Sequence, residues 1–259
     1  MQLRKLQYTV MLFGLIITPI SQAEPVIKFG VDPSYPPFEQ KQPDGSLSGF
    51  DIDLGNALCA KLRVRCIWVE QSFDGMVPAL KAKKFDAILS AFSATEARRQ
   101  QVDFSDKLYT APSSLVARKN AGLLPTAASL KGKSVGVVQG SLQESFAKSE
   151  WGSKGIEILS YQTQDQVFSD LINGRLDASF QASVQADIGL LQKTQGQGFA
   201  FAGDPITDKR IIGDGVAIGV RKNEPDIREQ LNTAIAGVRQ SGQYDQIAKK
   251  YFNFDIYGE

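Results

Sequence analysis

Short apolar segments with the character of strands alternate with helix-like segments along most of the chain. Apolar runs at Val26–Val31, 66–69 and 133–138 predict strands. Apolar residues at helical spacing predict amphipathic helices over 49–62 and 163–175. Because strands that alternate with helices usually pair in parallel, we expect two successive βαβαβ units, each with a mostly parallel sheet.

The rest of the pattern completes these two units. Asp44 and Gly45 form a tight-turn pair, which predicts a hairpin between Phe38 and Leu47. Asp51 is a candidate N-cap for the first long helix. Further helices are expected at 73–84, 141–151 and 182–193, further strands at 85–95, 156–161, 176–181 and 211–220, and two amphipathic tail helices at 224–240 and 244–252.

Two connectors divide the pattern into halves, one before the second unit and one after it. If the last strand and the tail helices return to the first unit, the chain crosses twice between two lobes. We therefore expect lobe 1 to comprise 24–110 plus 214–259, and lobe 2 to comprise 113–206. The connectors at 109–113 and 204–215 would form a two-segment hinge, with a ligand cleft between the lobes.

The first 23 residues have the pattern of a secretory signal peptide. Arg4 and Lys5 precede an apolar run at 10–20 that is too short to span a bilayer, and small residues lead up to Ala23. We expect cleavage after Ala23 and export of the remainder. An uncleaved N-terminal helix is the alternative.

Charge and residue usage narrow the possible functions. Lys and Arg number 29 against 28 Asp and Glu, a near-neutral balance that argues against nucleic acid or anionic membranes as partners. The absence of histidine removes Ser-His-Asp and Cys-His catalysis and most zinc sites. We expect no cofactor and no metal. In an oxidising compartment Cys59 and Cys66 most simply form one disulfide, the alternatives being free thiols or half a metal site.

Several motifs between residues 49 and 254 make the chain recognisable, and the resemblance that they carry covers the whole chain after residue 23. They are GFDIDLGNALC (49–59), FDGMVPALKAKKFDAI (73–88), FSDKLY (104–109), LKGKSVGVVQGS (130–141), GRLDA (174–178) and YDQIAKKYFNF (244–254). On these motifs the chain resembles the periplasmic solute-binding proteins of polar amino-acid ABC importers, nearest the lysine/arginine/ornithine-binding and histidine-binding proteins. The resemblance implies a two-lobed α/β fold of type II, with two parallel or mixed sheets flanked by helices. It also implies a monomer that serves an inner-membrane ABC permease complex, and a disulfide between the two cysteines.

The resemblance further implies how the cleft would bind an amino-acid carboxylate. Arg98 matches the family's carboxylate-binding arginine, as a bidentate guanidinium would require. Ser90 and Ser93 match positions that offer hydroxyl and backbone groups, whereas Ala91 stands where near relatives have a third serine. Ser141, Leu142 and Gln143 match the binding turn of the second lobe, with Val138 before it. Ser141 could equally be a plain helix N-cap.

The ligand's side chain has its own matching residues. Tyr35 and Phe73 match two aromatics that sandwich it, a role suited to a cationic head or an aliphatic stem. Core packing is the alternative for Phe73. Asp32 matches the carboxylate that receives a cationic side-chain end, which favours arginine, lysine or ornithine as ligand. Glu39 either adds negative potential or is a solvated loop residue.

One position departs from the relatives. An aspartate of the second lobe pairs with the ligand's α-ammonium in them, and Ala182 stands at that position here. A buried ammonium without a charged partner is costly. Three hypotheses follow: the ligand is an opine such as octopine or nopaline, in which the α-nitrogen carries a second carboxylate-bearing group; Asp187 or Ser183 substitutes; or affinity for ordinary amino acids is weak.

Two other classes of function stay open at this point. The ligand-bound protein could also be recognised by a chemoreceptor or a sensor kinase. Some exported proteins of this fold resemble cyclohexadienyl dehydratases, for which Asp32 or Glu39 would have to supply the acid. Because nothing in the sequence provides a nucleophile with a base, a metal site or a phosphate loop, we expect a binding protein rather than an enzyme.

Overall fold

The computed structural model of the protein describes residues 24–208 and 213–258. The expected signal peptide, residues 1–23, lies outside the described residues, as does part of the expected strand at 211–220. No helix in the described ranges is both long enough and apolar enough to cross a membrane.

Strands and helices alternate along the chain as the apolar pattern predicts. The strands are β1 Val26–Val31, β2 Ser34–Tyr35, β3 Glu39–Lys41, β4 Leu47–Ser48, β5 Arg65–Glu70, β6 Ala87–Ile88, β7 Asp103–Tyr109, β8 Ser113–Arg118, β9 Ser134–Val138, β10 Glu157–Tyr161, β11 Ala178–Ala182, β12 Phe199–Phe201 and β13 Val216–Val220. The helices are α1 Phe50–Leu62, α2 Met76–Lys81, α3 Glu96–Arg99, α4 Ala127–Leu130, α5 Leu142–Glu150, α6 Gln164–Ile172, α7 Ser183–Ala186, α8 Pro225–Gln240 and α9 Gln243–Ala248. Shorter 3₁₀ turns lie at Phe73–Gly75, Gly152–Lys154 and Thr194–Gly196, and a π-helical stretch at Asp187–Leu191 follows α7.

The strands form two five-stranded sheets and one small one. The first sheet has the order β5-β1-β6-β13-β7, the second β10-β9-β11-β8-β12, and the small sheet β2-β3-β4. In the first sheet β1 runs parallel to β5 and β6, but β13 runs antiparallel to β6 and β7. In the second sheet β9 runs parallel to β10 and β11, and β8 runs antiparallel to β11 and β12.

Four of the five strands in each large sheet therefore run in one direction, as expected of mostly parallel sheets, and a single reversed strand makes each sheet mixed. The antiparallel strands are those at the crossings, since β8 follows the first connector and β13 the second. Such strands enter a sheet from the other half of the molecule instead of through a crossover helix, so the parallel βαβ geometry does not apply to them. Along the chain, β7 belongs to the first sheet and β8 to the second, while β12 belongs to the second sheet and β13 to the first.

The hairpin prediction at Asp44 and Gly45 is confirmed, since β3 and β4 pair antiparallel. Gln42 N–H donates to the Ser46 carbonyl at 2.7 Å across the turn. The N-cap prediction for Asp51 is wrong. The helix α1 begins at Phe50, and Asp51 is a fully buried residue of its first turn whose carboxylate bonds to distant parts of the chain.

Other boundaries differ by smaller amounts. The expected strand at 85–95 is regular only over β6, after which the chain forms an irregular polar loop. The helix expected at 73–84 divides into a 3₁₀ turn and the shorter α2. The disulfide prediction is confirmed: Cys59 in α1 and Cys66 in β5 are joined at an S–S distance of 2.04 Å.

Buried aromatic rings hold the loop after β1 against the first sheet. Phe38 stacks on Tyr109 with ring centroids 5.0 Å apart, and Phe50 meets Tyr109 edge-on at 5.4 Å. All three side chains are fully buried. Burial of an aromatic side chain contributes about 1.5–3 kcal/mol, so this cluster fixes the start of the small sheet that borders the cleft.

Candidate functional site

A cleft lies between the two large sheets, with about 620 Å³ of space free of atoms, part of it open to solvent. All the residues expected from the sequence line it: Asp32, Tyr35, Phe73, Ser90, Ala91, Ser93, Arg98, Val138, Ser141, Leu142, Gln143 and Ala182. Six more residues complete the lining, namely Ser34, Glu39, Ala111, Gln164, Phe180 and Gln181. Of these six, only Glu39 is a candidate on the sequence alone. Phe180 and Gln181 share the strand β11 with Ala182, a signal that could have found them.

The guanidinium of Arg98 is held by backbone carbonyls and aromatic rings. Nη1 donates to the carbonyl of Ser93 at 3.0 Å, and Nη2 donates across the cleft to the carbonyl of Gly140 at 3.2 Å. Its central carbon lies 4.2 Å from the ring centroid of Phe92 and 5.3 Å from that of Phe73. Burial lowers the pKa of Arg98 to about 10 and is the sole cause of that shift, so no described carboxylate compensates the charge. An uncompensated guanidinium in a cleft suits an anionic group of a ligand.

The opposite wall presents the start of α5. Ser141 is its N-cap, with Oγ accepting from the N–H of Glu144 at 3.0 Å, so the N-cap alternative holds alongside its place in the cleft. The Glu144 carboxylate in turn accepts from the N–H of Gly140 at 2.7 Å. Gly140 has a φ of +75°, and a Cβ there would lie 2.7 Å from Cα of Asp74 on the other side of the cleft. Only glycine permits this close approach.

Acidic side chains gather at the other end of the cleft. Asp32 accepts from Ser34 Oγ at 2.7 Å and from Phe73 N–H at 3.0 Å, and burial raises its pKa. Glu39 is 1% exposed, so the alternative of a solvated loop residue is wrong. Its Oε1 accepts from Ser90 Oγ at 3.0 Å, and Ser90 Oγ accepts from the N–H of Asp32 at 3.0 Å.

Glu39 and Asp51 form a buried carboxyl pair behind this end of the cleft. Asp51 Oδ2 accepts from Ala91 N–H at 2.7 Å and from the Tyr109 hydroxyl at 3.1 Å. Glu39 Oε2 and Asp51 Oδ1 are buried, and neither oxygen has a hydrogen-bond partner among the described residues. Burial raises the pKa of Asp51 to about 6; burial first, and then the Asp51 charge, raises the pKa of Glu39 well above its usual range. Because the ionised Asp51 raises the pKa of Glu39, the two carboxyls do not ionise together, and the pair carries one negative charge.

The aromatic residues take part in contacts of their own. The Tyr35 hydroxyl accepts from the N–H of Ala182 across the cleft at 3.1 Å, and burial raises the pKa of this phenol. The Tyr35 ring stacks near Phe38 at 6.1 Å. Phe73 is half-buried and packs against the apolar clusters of both halves, so core packing and cleft lining coexist there.

Three polar residues of the half that contains the second sheet, Gln143, Ser183 and Asp187, do not all line the cleft. Gln143 lines the cleft and donates to Ser113 Oγ at 2.9 Å. Ser183 donates to the carbonyl of Pro112 at 3.0 Å and, with Asp187, lines a separate depression that includes Phe254. Their placement does not support either of them as a substitute ammonium partner in the cleft.

Comparisons with known proteins define the class. Residues 27–254 match the family of bacterial extracellular solute-binding proteins, family 3, and the chain belongs to this family. It is 48% identical over 233 residues to the lysine/arginine/ornithine-binding periplasmic protein of Escherichia coli K12, covering 90% of each chain. It is 50% identical over 232 residues to the histidine-binding periplasmic protein of Salmonella typhimurium, covering 90% of this chain and 89% of that one. The resemblance inferred from the motifs is thereby confirmed.

A solved structure supports the same fold. The chain is similar to a Salmonella typhimurium periplasmic binding protein described as having high arginine specificity, with a TM-score of 0.81 and 32% identity. The match covers 88% of this chain and 100% of that one. The expected two-lobed α/β fold of type II is thereby confirmed.

Proposed function

We propose that this protein is the periplasmic substrate-binding component of an ABC importer and that it binds a basic amino acid, or an N-substituted derivative of one, in the cleft. The observation that carries the proposal is the charge pattern of the lining. Arg98 offers an uncompensated cation, while Asp32 and the Glu39–Asp51 pair offer negative charge. A ligand with a carboxylate at one end and a cation at the other complements this pattern.

In this proposal the carboxylate of the ligand binds to Arg98. The two carbonyl contacts use one N–H of Nη1 and one of Nη2, and the guanidinium carries further N–H donors, as does the N-terminus of α5 nearby. Ser93 lines the cleft on this side, whereas the Ser90 hydroxyl and the Ala91 N–H already donate to Glu39 and Asp51. Asp32 receives the distal cation, because it is a buried carboxylate with no cationic partner among its bonded groups.

The ligand's α-nitrogen determines which basic compounds fit. Ala182 gives the second wall a methyl group where a carboxylate would pair with a primary ammonium, and it leaves room for a substituent. A secondary amine that carries its own carboxylate, as in octopine or nopaline, partly compensates its own charge. We therefore include opines beside arginine, lysine and ornithine in the proposed ligand class.

Ligand binding is proposed to close two lobes about the connectors at 109–113 and 204–215. Two hydrogen bonds between the sides of the cleft support this, one from Arg98 to Gly140 and one from Ala182 to Tyr35. The structure described here would be the closed form. A ligand that contacts both walls then shifts an open–closed equilibrium by its extra contacts in that form.

A thermal-shift screen of ligand-stripped protein tests the proposal. Arginine, lysine, ornithine, histidine, octopine and nopaline should raise the unfolding temperature in a concentration-dependent way, whereas glutamate and leucine should not. Stripping by unfolding and refolding is needed, because a co-purified ligand would mask the shift. Stabilisation by glutamate or leucine alone would contradict the proposed ligand class.

A further inference from the structure

Gln164, the first residue of α6, is held in the cleft wall by its own amide nitrogen. The side chain is 1% exposed and lines the cleft. Its Nε2 donates to Gln181 Oε1 at 3.4 Å, and Gln181 Nε2 donates to the carbonyl of Ser114 at 3.3 Å. Because Gln164 Nε2 donates to Gln181, these hydrogen bonds leave the Oε1 end of the Gln164 amide available.

The available end is an acceptor without a partner. Gln164 Oε1 is buried and bonds to no described group. Buried polar atoms in folded proteins nearly always have a partner, and one left unpaired carries a free-energy penalty. Among the cleft-lining residues, Glu39 also has such an oxygen, and it belongs to a carboxyl whose pKa the neighbouring Asp51 charge raises. Gln164 Oε1 is thus a buried, unpaired acceptor in the wall of the described cleft.

We propose that Gln164 Oε1 accepts a hydrogen bond from the ligand nitrogen that is not paired with Asp32, and that Gln164 is a specificity-determining residue of the cleft. This inference rests on the proposed function, since it takes the ligand to be a basic amino acid or its derivative. With the carboxylate at Arg98 and the distal cation at Asp32, the remaining nitrogen is the α-nitrogen.

The chemistry of this acceptor limits what can lie beside it. An amide oxygen repels a carboxylate and attracts an N–H group, so the adjacent ligand atom must keep at least one hydrogen. Asp32 and Glu39 are the acids among the cleft-lining residues, and both belong to the half that contains the first sheet. The second wall therefore offers the α-nitrogen a neutral acceptor, which suits a primary or a secondary amine alike.

The test compares Gln164→Leu with the unaltered sequence in the ligand-stripped mature chain, using two probes. L-arginine carries the α-nitrogen, and 5-guanidinopentanoate is the same molecule without it. Calorimetry, with competition titration for the weaker probe, should give a loss of about tenfold for L-arginine. The same substitution should change the affinity for 5-guanidinopentanoate by less than about twofold, because that probe has no donor at this place.

Gln185→Leu is the matched control. Gln185 is also 1% exposed and also has an unpartnered Oε1, but it does not line the cleft. Its substitution should leave the affinity for both probes unchanged. If Gln164→Leu does not fold, as judged by circular dichroism, Gln164→Asn replaces it under the same criteria, since it keeps the amide but withdraws it by one methylene.

Two results would overturn the inference: an unchanged affinity for L-arginine, or an equal loss for both probes, which would indicate a merely structural role. Failure of the proposed function looks different. In that case the unaltered protein would bind none of L-arginine, L-lysine, L-ornithine and octopine, and the inference would fall with it.

Discussion

The guanidinium of Arg98 donates a hydrogen bond across the cleft to the carbonyl oxygen of Gly140 at 3.2 Å. This bond joins α3, which contains Arg98, to the turn before α5, so one side chain contacts both walls. The same cation faces the cleft without a carboxylate partner in the part of the chain that the structure describes. Ligand affinity and closure of the cleft should therefore depend on the same residue.

Arg98→Ala should weaken binding of L-arginine by about 2 kcal/mol or more, which is more than tenfold, because it removes a charge-assisted pair in a closed cleft. Arg99→Ala is the matched control. Arg99 pairs with Asp214 at 3.0 Å and is 38% exposed, so its loss should leave affinity within about twofold. Calorimetry on both variants checks this. Equal effects of the two substitutions would contradict the role of Arg98 as the main residue that binds the ligand's carboxylate.

Gly140→Ala should impair closure of the cleft, in addition to lowering stability through backbone strain. The new methyl group would meet Asp74 across the cleft, and φ of +75° adds strain of about 1–2 kcal/mol. Gly155→Ala carries the same backbone strain, since Gly155 has a φ of +81°, but its Cβ would meet nothing within 4 Å. Both variants should lose stability, and only Gly140→Ala should lose affinity, by about tenfold or more.

Small-angle scattering with saturating ligand should find Gly140→Ala less compact than Gly155→Ala. A matching radius and affinity in the two variants would contradict a role for Gly140 in closure.

The buried carboxyl pair should make stability fall as pH rises. The pKa of Asp51 is raised to about 6 in the folded protein, so the folded state binds more protons than the unfolded state just below that pH. The stabilisation is complete below the unfolded pKa, near 4, and is lost as pH rises through about 6. Asp51→Asn keeps an acceptor for Ala91 and Tyr109 and removes the titration.

The measurement is urea unfolding at pH 5 and at pH 7.5. Between pH 5 and pH 7.5, the free energy of unfolding should fall by about 1–3 kcal/mol less in Asp51→Asn than in the unaltered protein. Asp53→Asn serves as control, since Asp53 lies in the same helix but pairs at the surface with Lys250. An identical pH dependence in Asp51→Asn and in the unaltered protein would contradict the proton-sharing pair.

Ala182→Asp should change the ligand class. A carboxylate there would pair with a primary ammonium, improving binding of arginine, lysine or ornithine by about 1–3 kcal/mol, and would repel the second carboxylate of octopine by a similar amount. Ala182→Asn controls for size without charge and should produce neither gain nor repulsion. Calorimetry with both kinds of ligand on the same stripped protein decides the matter. No gain for free basic amino acids would mean that Ala182 does not lie beside the α-nitrogen.

Much of the fold follows from the sequence, because apolar periodicity reports local structure. The strands around Phe29 and Val137 and the helices between the strands lie where the pattern predicts them. Strand direction at β8 and β13 does not follow from it, since it depends on how the chain crosses between lobes. The motif-based residues all line the cleft, but their roles in binding remain predictions.

The errors share a physical cause, which is contact between residues far apart in the chain. Asp51 looks like an N-cap locally, yet its partners Ala91 and Tyr109 lie 40 and 58 positions away. Glu39 looks like a loop residue, yet the fold buries it against Asp51. Gln164 gives no local signal at all, because its significance lies in an oxygen that the folded chain leaves unpaired.

The central claim is that the cleft recognises a basic amino acid through charge. The most direct measurement is a pair of calorimetric titrations of ligand-stripped protein with L-arginine and with L-citrulline, which has nearly the same shape but a neutral end. Because Asp32 and the Glu39–Asp51 pair favour a cation, L-arginine should bind about tenfold or more tightly than L-citrulline. Equal affinity for the two compounds, or tighter binding of L-citrulline, would contradict the account.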